Sequence, residues 1–220
     1  MEKEKGGEIK GVETGFVPSR DGFNFINSFE IGGEKGIVYG LCGGMCLVAL
    51  DMKKGGKEIN GLAYPDSNSG LYRYLLERQI QSLGSGGVYV FRFVEGMIKS
   101  DSSLKWENIK ELEKLYKKLL DGEATPVGLI YVRFPETVEV WKNHQVLAVG
   151  YRQGINGEMF VHVYDPNQPG NDDVWLNFSE DGQIRQETKK GEQWWGMPVR
   201  GMFVMPHKER RVPRGVVSEI

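Results

Sequence analysis

The chain has 220 residues, of which 40% are hydrophobic and 26% charged, so it can bury one sizeable core and we expect a single domain. Its 28 basic and 30 acidic residues are interspersed and give a net charge of -2, which excludes an electrostatic case for binding nucleic acid or an anionic membrane. The charged start MEKEKGGEIK predicts no signal peptide, and no stretch approaches the roughly 20 apolar residues that span a bilayer. Two cysteines cannot form a disulfide scaffold. We therefore expect a cytoplasmic protein.

Residues 1–36 combine glycine, lysine and glutamate with a few aromatic residues and have no sustained periodicity, which predicts an arm of irregular structure or short strands. From Gly43 to Met52 the chain is apolar and lacks proline, and the cysteines and their apolar neighbours recur at helical spacing. The pattern predicts a helix that begins at or just after Cys42. Residues 37–125 form the helical half of the domain.

Three further helices are predicted in this half. Their sequences are SGLYRYLLERQIQSL (69–83), VYVFRFVEGMIKS (88–100) and KWENIKELEKLYKKLLDG (105–122). The last has leucines at 112, 115 and 119 on one stripe, with lysine and glutamate opposite and Gly122 as a stop signal.

The period of the pattern changes after residue 125. Short segments rich in Val, Ile, Tyr and Phe, separated by Gly, Asn or Pro, are typical of strands. They are 127–134, 144–152, 158–165, 173–178, 182–188 and 201–206. Helices followed by strands indicate an α+β protein, with the helices packed against one face or end of an antiparallel sheet over 126–206. A basic tail, 207–220, completes the chain.

Cys42 is the first candidate for chemistry. A cysteine at the start of a helix lies beside the positive end of the helix dipole and the unsatisfied first-turn amides, which favour the thiolate, the nucleophilic form. Cys46 follows one helical turn later on the apolar stripe and reads as a core residue. The alternatives for Cys42 are a buried thiol at a glycine-rich turn or, with Cys46 and His144, a zinc site that lacks an evident fourth ligand.

A thiol nucleophile needs a base and a group to orient it. His144 stands at the start of a predicted strand, where its side chain can reach a helix terminus, whereas His162 lies in mid-strand and His207 in the basic tail. Asp165 ends the strand of the hairpin that begins at His144, and Pro166 terminates the ladder. Asp165 could equally cap the turn DPNQPGNDD, whose oxygens lack the spacing of a known calcium loop. We expect no metal and no cofactor.

The motifs GFNFINSF, YGLCGGMCLVALD, NHQVLAVGY and YDPNQPG span most of the chain. A cysteine on a helix, followed by a sheet that supplies histidine and then aspartate, resembles the papain-like cysteine peptidase superfamily, in its bacteriocin-leader-peptidase branch. The motifs are most similar to an uncharacterised prokaryotic family with GLCGGM, NHQVLA and YDPN. The resemblance implies a papain-like fold, with the nucleophile helix first and a C-terminal antiparallel sheet. It also implies Cys42 as nucleophile, His144 as general base and acid, and Asp165 as the residue that orients the imidazole.

One feature departs from the papain-like pattern. Those enzymes carry a glutamine about six residues before the cysteine, and its amide helps to bind the oxyanion; here the position is Gly36 and no glutamine precedes it. The candidates for the missing donor and for substrate binding are Asn24, Asn27, Asn143, Trp194 and Trp195.

Two classes of function follow. The first is a cysteine hydrolase or acyl transferase whose partner is a peptide, amide or thioester substrate. The second is a catalytically inactive papain-like scaffold that binds a peptide or small molecule.

Overall fold

A computed structural model describes residues 11–31, 37–59, 61–154, 157–191, 193–205 and 207–217. Gly36, the tip of the predicted arm and the end of the predicted basic tail lie outside the described residues. The described part of the chain contains no helix that is both long and apolar enough to cross a membrane.

The protein is α+β. Its α-helices are α1 (Pro18–Asp21), α2 (Cys42–Lys54), α3 (Gly70–Ser82), α4 (Val88–Ile98), α5 (Asp101–Leu120) and α6 (Arg214–Val217). Its strands are β1 (Gly11–Glu13), β2 (Phe29–Ile31), β3 (Ile37–Tyr39), β4 (Thr125–Ile130), β5 (His144–Gln153), β6 (Met159–Tyr164), β7 (Val174–Phe178), β8 (Ile184–Lys190), β9 (Gln193–Val199) and β10 (Gly201–Val204).

Seven strands form one antiparallel sheet in the order β10-β4-β5-β6-β7-β8-β9, and β1 pairs with the far end of β5. Strands β9 and β10 are separated only by Arg200, yet β9 pairs with β8 and β10 pairs with β4. The first and last strands of this order, β10 and β9, are therefore consecutive in the chain. The sheet must curl so that these two strands meet at Arg200. Because β4 stops at Ile130, β9 has no partner on its other side in the described chain, and a cleft opens there.

Helices cover both faces of this sheet, which corrects the expectation that they pack against one face or end of it. Successive residues of a strand point to opposite faces. On β5, Leu147 and Val149 belong to the core cluster that contains α2 and α3, whereas Val146 and Ala148 belong to the cluster that contains the leucine stripe of α5. The central strand is therefore buried on both sides, which explains its nearly continuous run of apolar residues.

The predicted helices are confirmed, and α2 begins at Cys42 as expected. The side chain of Ser69 caps α3 and that of Ser100 caps α5. Because of its cap, α5 begins at Asp101, four residues earlier than predicted. The first predicted strand is shorter than expected and ends at Ile130. Strand β9, with the sequence QWWGMPV, was not predicted. The arm contributes two short strands in its described part: β1 joins the main sheet, and β2 pairs with β3, which follows the arm.

Candidate active site

Cys42 is the first residue of α2 and lines a cavity of about 1300 Å³. Its side chain is half-buried, whereas Cys46 is completely buried and its thiol lies 3.8 Å from the carbonyl oxygen of Gln145. Both thiols are free. Burial raises the pKa of Cys46, and the charges of Cys42 and Asp165 raise it further, so this thiol stays protonated in the core. Of the two thiols, Cys42 is the one that lines the cavity.

Two glycines after Cys42 let α2 approach its neighbours. A β-carbon at Gly43 would collide with the side chains of Ser82 and Gln145, and one at Gly44 would collide with the backbone carbonyl of Leu75 on α3. The N–H of Gly44 also donates to the side-chain oxygen of Gln79 at 2.9 Å. Close packing against α3 and β5 therefore fixes the helix start that carries Cys42.

His144 begins β5 and is 7% exposed at the wall of the same cavity. The preceding residue, Asn143, is engaged with the backbone: its Oδ1 accepts the N–H of Tyr131 at 3.0 Å, and its Nδ2 donates to the carbonyl oxygen of Val140 at 3.0 Å. Asn143 thus joins the end of β4 to the start of β5. It lines the cavity but acts there as an anchor for His144.

Asp165 follows β6 and lies beside His144. The imidazole Nε2 is 2.7 Å from the Oδ1 atom of Asp165, which also accepts the N–H of Asn167 at 2.8 Å. The Oδ2 atom accepts the amide Nε2 of Gln186 at 2.5 Å. The carboxylate therefore orients the imidazole and caps the turn at the same time, although the sequence presented these roles as alternatives.

Electrostatic interactions favour the charged forms of both His144 and Asp165. Burial disfavours the imidazolium, but the Asp165 carboxylate, with help from the Cys42 side chain, raises the pKa of His144 to about 10. Burial would raise the pKa of Asp165, but the charge of His144 and the hydrogen bonds from His144, Asn167 and Gln186 lower it. Because Nε2 is bonded to Asp165, Nδ1 is the nitrogen left for the Cys42 thiol.

The sequence analysis did not predict Gln186 or Tyr131 as site residues. The side-chain oxygen of Gln186 accepts a hydrogen bond from the hydroxyl of Tyr131, and both side chains line the cavity. Burial and the nearby Asp165 charge raise the pKa of Tyr131, so its hydroxyl keeps the proton that it donates. A chain of hydrogen bonds thus runs from Tyr131 through Gln186 and Asp165 to His144. No local motif marked either residue, because 55 residues separate them in sequence.

Asn27 lies at the cavity wall beside the start of α2. Its Oδ1 accepts the backbone N–H of Leu41 at 2.5 Å, and its Nδ2 donates to Oδ1 of Asn167 at 3.1 Å. Since an N–H can only donate, the amide oxygen faces Leu41 and the amide nitrogen faces Asn167, which also lines the cavity. Asn24, the other arm candidate, is not among the residues that line this cavity in the described chain. Asn27 is therefore the better-placed donor.

The register of β8 and β9 separates the two candidate tryptophans. Trp195 is opposite Thr188, and Met197 is opposite Gln186, so these four side chains share the inner face and line the cavity. Trp194 is opposite Lys189 and therefore points to the outer face. Of the tryptophan pair, Trp195 is the one that lines the cavity.

The remaining histidines lie apart from Cys42. His162 stacks on Trp175 with a centroid separation of 4.5 Å, and its Nε2 is 2.7 Å from the carbonyl oxygen of Asp172. His207 lies near Lys208 and Glu209 on another surface, and neither histidine lines the cavity of Cys42. Within the described ranges, no group of three His, Cys, Asp or Glu side chains is arranged to hold a metal ion.

Comparison of the chain with protein-family models, with curated proteins and with solved structures gives no match. The chemistry of the site is therefore argued from its own side chains. They combine a thiol at a helix N-terminus, a charged imidazole, a carboxylate that holds it, and an amide donor at the cavity wall.

Proposed function

We propose that the protein is a cysteine hydrolase or acyl transferase that acts on an amide, peptide or thioester through Cys42, His144 and Asp165. One observation carries the proposal: the imidazole of His144 is bonded through Nε2 to Asp165 and interacts with the Cys42 thiol in a shared cavity. This is the geometry of a nucleophile, a base and an orienting group.

In the proposed reaction the proton of Cys42 resides on His144, which gives a thiolate and an imidazolium. The thiolate attacks the carbonyl carbon, and the imidazolium donates its proton to the departing amine or thiol. A thioester between the acyl group and Cys42 remains. Water then attacks the thioester while His144 accepts its proton, and proton return releases the acid and restores Cys42.

The oxyanion of the tetrahedral intermediate needs hydrogen-bond donors. We assign this role to the backbone N–H of Cys42 at the helix N-terminus and to the amide Nδ2 of Asn27. The second assignment is supported by the bond from Leu41 to Asn27 Oδ1, which fixes the amide oxygen. One hydrogen of Nδ2 then bonds Asn167, and we assign the other to the oxyanion. Asn27 would then replace the glutamine that papain-like enzymes carry upstream.

A papain-like fold is part of the same proposal. It is supported by the chain order of the site, with a nucleophile helix first and then an antiparallel sheet that supplies His144 and Asp165. A location in the reducing cytoplasm is also proposed, because both cysteines are free and a thiol nucleophile must remain reduced.

Alkylation by iodoacetamide tests the proposal. At pH 6, the protein is expected to react at one site at least about tenfold faster than free cysteine, because the proposed proton transfer from Cys42 to His144 supplies the nucleophilic form of the thiol. Cys42→Ala should abolish this labelling, and Cys46→Ala should leave it unchanged because the Cys46 thiol is buried and protonated. Intact mass against time and pH gives the rates.

A Cys42 that labels no faster than free cysteine, with normal folding, would favour the inactive binding scaffold. Fast labelling that survives Cys42→Ala would move the nucleophile to Cys46.

Asn27→Asp tests the oxyanion assignment. The substituted carboxylate keeps an oxygen for the N–H of Leu41, so the fold should hold, but it removes the amide donor and adds negative charge where an oxyanion develops. We expect the acylation rate constant to fall by about 10²-fold to 10³-fold, measured with peptide or thioester substrates that release a fluorophore. Iodoacetamide labelling forms no oxyanion and should change far less. Equal losses in both reactions would contradict the assignment.

A further inference from the structure

Strand β9 offers an open edge beside Cys42. It pairs residue by residue with β8 from Gln193 to Val199, and in the described chain it has no partner on its other side. Residues 193–198 are all exposed, and four of them, 195–198, line the same cavity as Cys42 and His144. An exposed strand edge presents unpaired N–H and C=O groups that can pair with another extended chain.

Pro198 indicates which backbone groups face this edge. Proline has no N–H to give to β8, so position 198, opposite Arg185, belongs to a pair without ladder hydrogen bonds. Since the pattern alternates, Gly196 and Trp194 also direct their N–H and C=O groups to the open side. The Gly196 carbonyl accepts the side-chain guanidinium of Arg185 at 3.3 Å, which agrees with a carbonyl that the backbone of β8 does not use.

The inner face of β9 is apolar and uncovered. Trp195 is 57% exposed and Met197 is 46% exposed, although both point into the cavity. Large apolar side chains that line a cleft and remain exposed mark a binding surface. The apolar side chains and the open backbone edge lie on the same strand. An extended ligand that pairs with this edge would therefore place every second side chain against Trp195 and Met197.

The charges of the cavity favour an acidic ligand. Apart from Cys42 and His144, whose opposite charges cancel in the proposed ion pair, the charged side chains that line it in the described chain are Lys142, Lys190 and Asp165. Asp165 is 3% exposed and bonded to His144, so it offers no charge to a ligand at the rim. Glu139 pairs with Lys142 but does not line the cavity, and Lys190 is in no ion pair of the described chain.

We propose that the cleft takes one extended, acidic peptide segment, which adds to the open edge of β9 as a further strand and places apolar side chains against Trp195 and Met197. The inference rests on the proposed function, because strand addition would deliver the peptide's main chain to Cys42. It names the substrate class as an unfolded polypeptide segment and excludes a compact amide or a small thioester as the preferred substrate.

Binding to the Cys42→Ala variant tests the inference without any contribution from catalysis. The probe is a capped ten-residue peptide of alternating glutamate and leucine, measured by calorimetry or by Trp fluorescence. The same peptide is also made with every leucine N-methylated or every glutamate N-methylated. A strand uses alternate N–H groups for its neighbour, so one methylated peptide should bind at least about tenfold more weakly and the other within about threefold. Equal affinities of the two methylated peptides would overturn strand addition.

Two pairs of variants locate the site. Gly196→Pro removes an N–H from the open edge without removing a bond to β8 and should weaken binding about tenfold, whereas Gly196→Ala keeps that N–H and displaces only the flexible end of Arg185. Trp195→Ala should weaken binding at least about tenfold, and Trp194→Ala should change it less than about threefold because that side chain is on the outer face.

The alternating lysine and leucine peptide should bind at least about tenfold more weakly than the glutamate peptide at low salt. Equal binding of the two peptides, or equal effects of the two tryptophan variants, would overturn the proposal. If these binding results hold while Cys42 of the parent protein proves unreactive, strand addition stands and the hydrolase proposal fails.

Discussion

Replacing His144 with alanine is expected to slow amide or thioester cleavage by about 10²-fold to 10⁴-fold, because the variant loses the group that accepts and returns the proton. It should also remove the rapid labelling of Cys42 at pH 6, since no imidazolium then stabilises the thiolate. The Asp165 carboxylate would be left buried without its charged partner, and we expect the free energy of unfolding to fall by about 3–5 kcal/mol. Substrate turnover, labelling rate and urea unfolding provide the three measurements.

His207→Ala is the control, because His207 is a partly buried histidine that does not line the cavity of Cys42. It should keep both turnover and rapid labelling. If His144→Ala is folded and labels as fast as the parent protein, the thiolate does not depend on the imidazole and the proposed ion pair is wrong.

Asp165→Ala is expected to change the pH dependence of stability as well as its level. In the parent protein the pKa of His144 is about 10, above the ordinary value of 6.5. A group whose pKa is raised by folding contributes stability that is complete below about pH 6.5 and is lost as the pH rises through about 10. Each unit of the pKa difference corresponds to about 1.4 kcal/mol.

Without the carboxylate, the main cause of the raised pKa is gone and burial lowers the pKa of His144. The parent protein should therefore lose more stability than Asp165→Ala between pH 6.5 and pH 10, by at least about 1.4 kcal/mol. Urea unfolding at pH 6.5, 8 and 10 measures the difference. A constant difference across this range would leave Asp165 only its role in capping the turn through the N–H of Asn167.

Asp165→Asn provides the control of the same shape. Its oxygen can still accept from His144 and Asn167, but its amide would oppose the amide of Gln186. Gln186 can resolve the conflict by reversing its own amide, because the Tyr131 hydroxyl can accept a hydrogen bond as well as donate one. We expect this variant to fold and to keep a positioned imidazole, while its stability loses the pH dependence that comes from the ion pair.

The sequence by itself determined where Cys42, His144 and Asp165, the residues of the proposed triad, lie relative to the helices and strands. The helix start at Cys42 follows from the apolar run after a glycine-rich turn, and α2 begins at that residue. The strand that begins at His144 and the Asp-Pro pair that ends the next strand were also readable, because strand alternation and proline act locally. The α+β class followed from the change of period after residue 125.

Only the tertiary structure decided which side chains surround Cys42, His144 and Asp165. Gln186 supports Asp165 from 21 residues away, so no local pattern could mark it. The sequence offered both Asn24 and Asn27 as donors, and only the fold places Asn27 at the cavity wall, bonded to Leu41. Strand β9 lacks the alternation of a half-buried strand, since residues 193–198 are all exposed and include glycine and proline. Residues 193–199 form a strand because they pair with β8. The register of that pairing places Trp195 on the inner face of the sheet and Trp194 on the outer face. Periodicity reports which faces are buried, whereas long-range pairing, register and side-chain hydrogen bonds depend on how the sheet curls and which elements cover it.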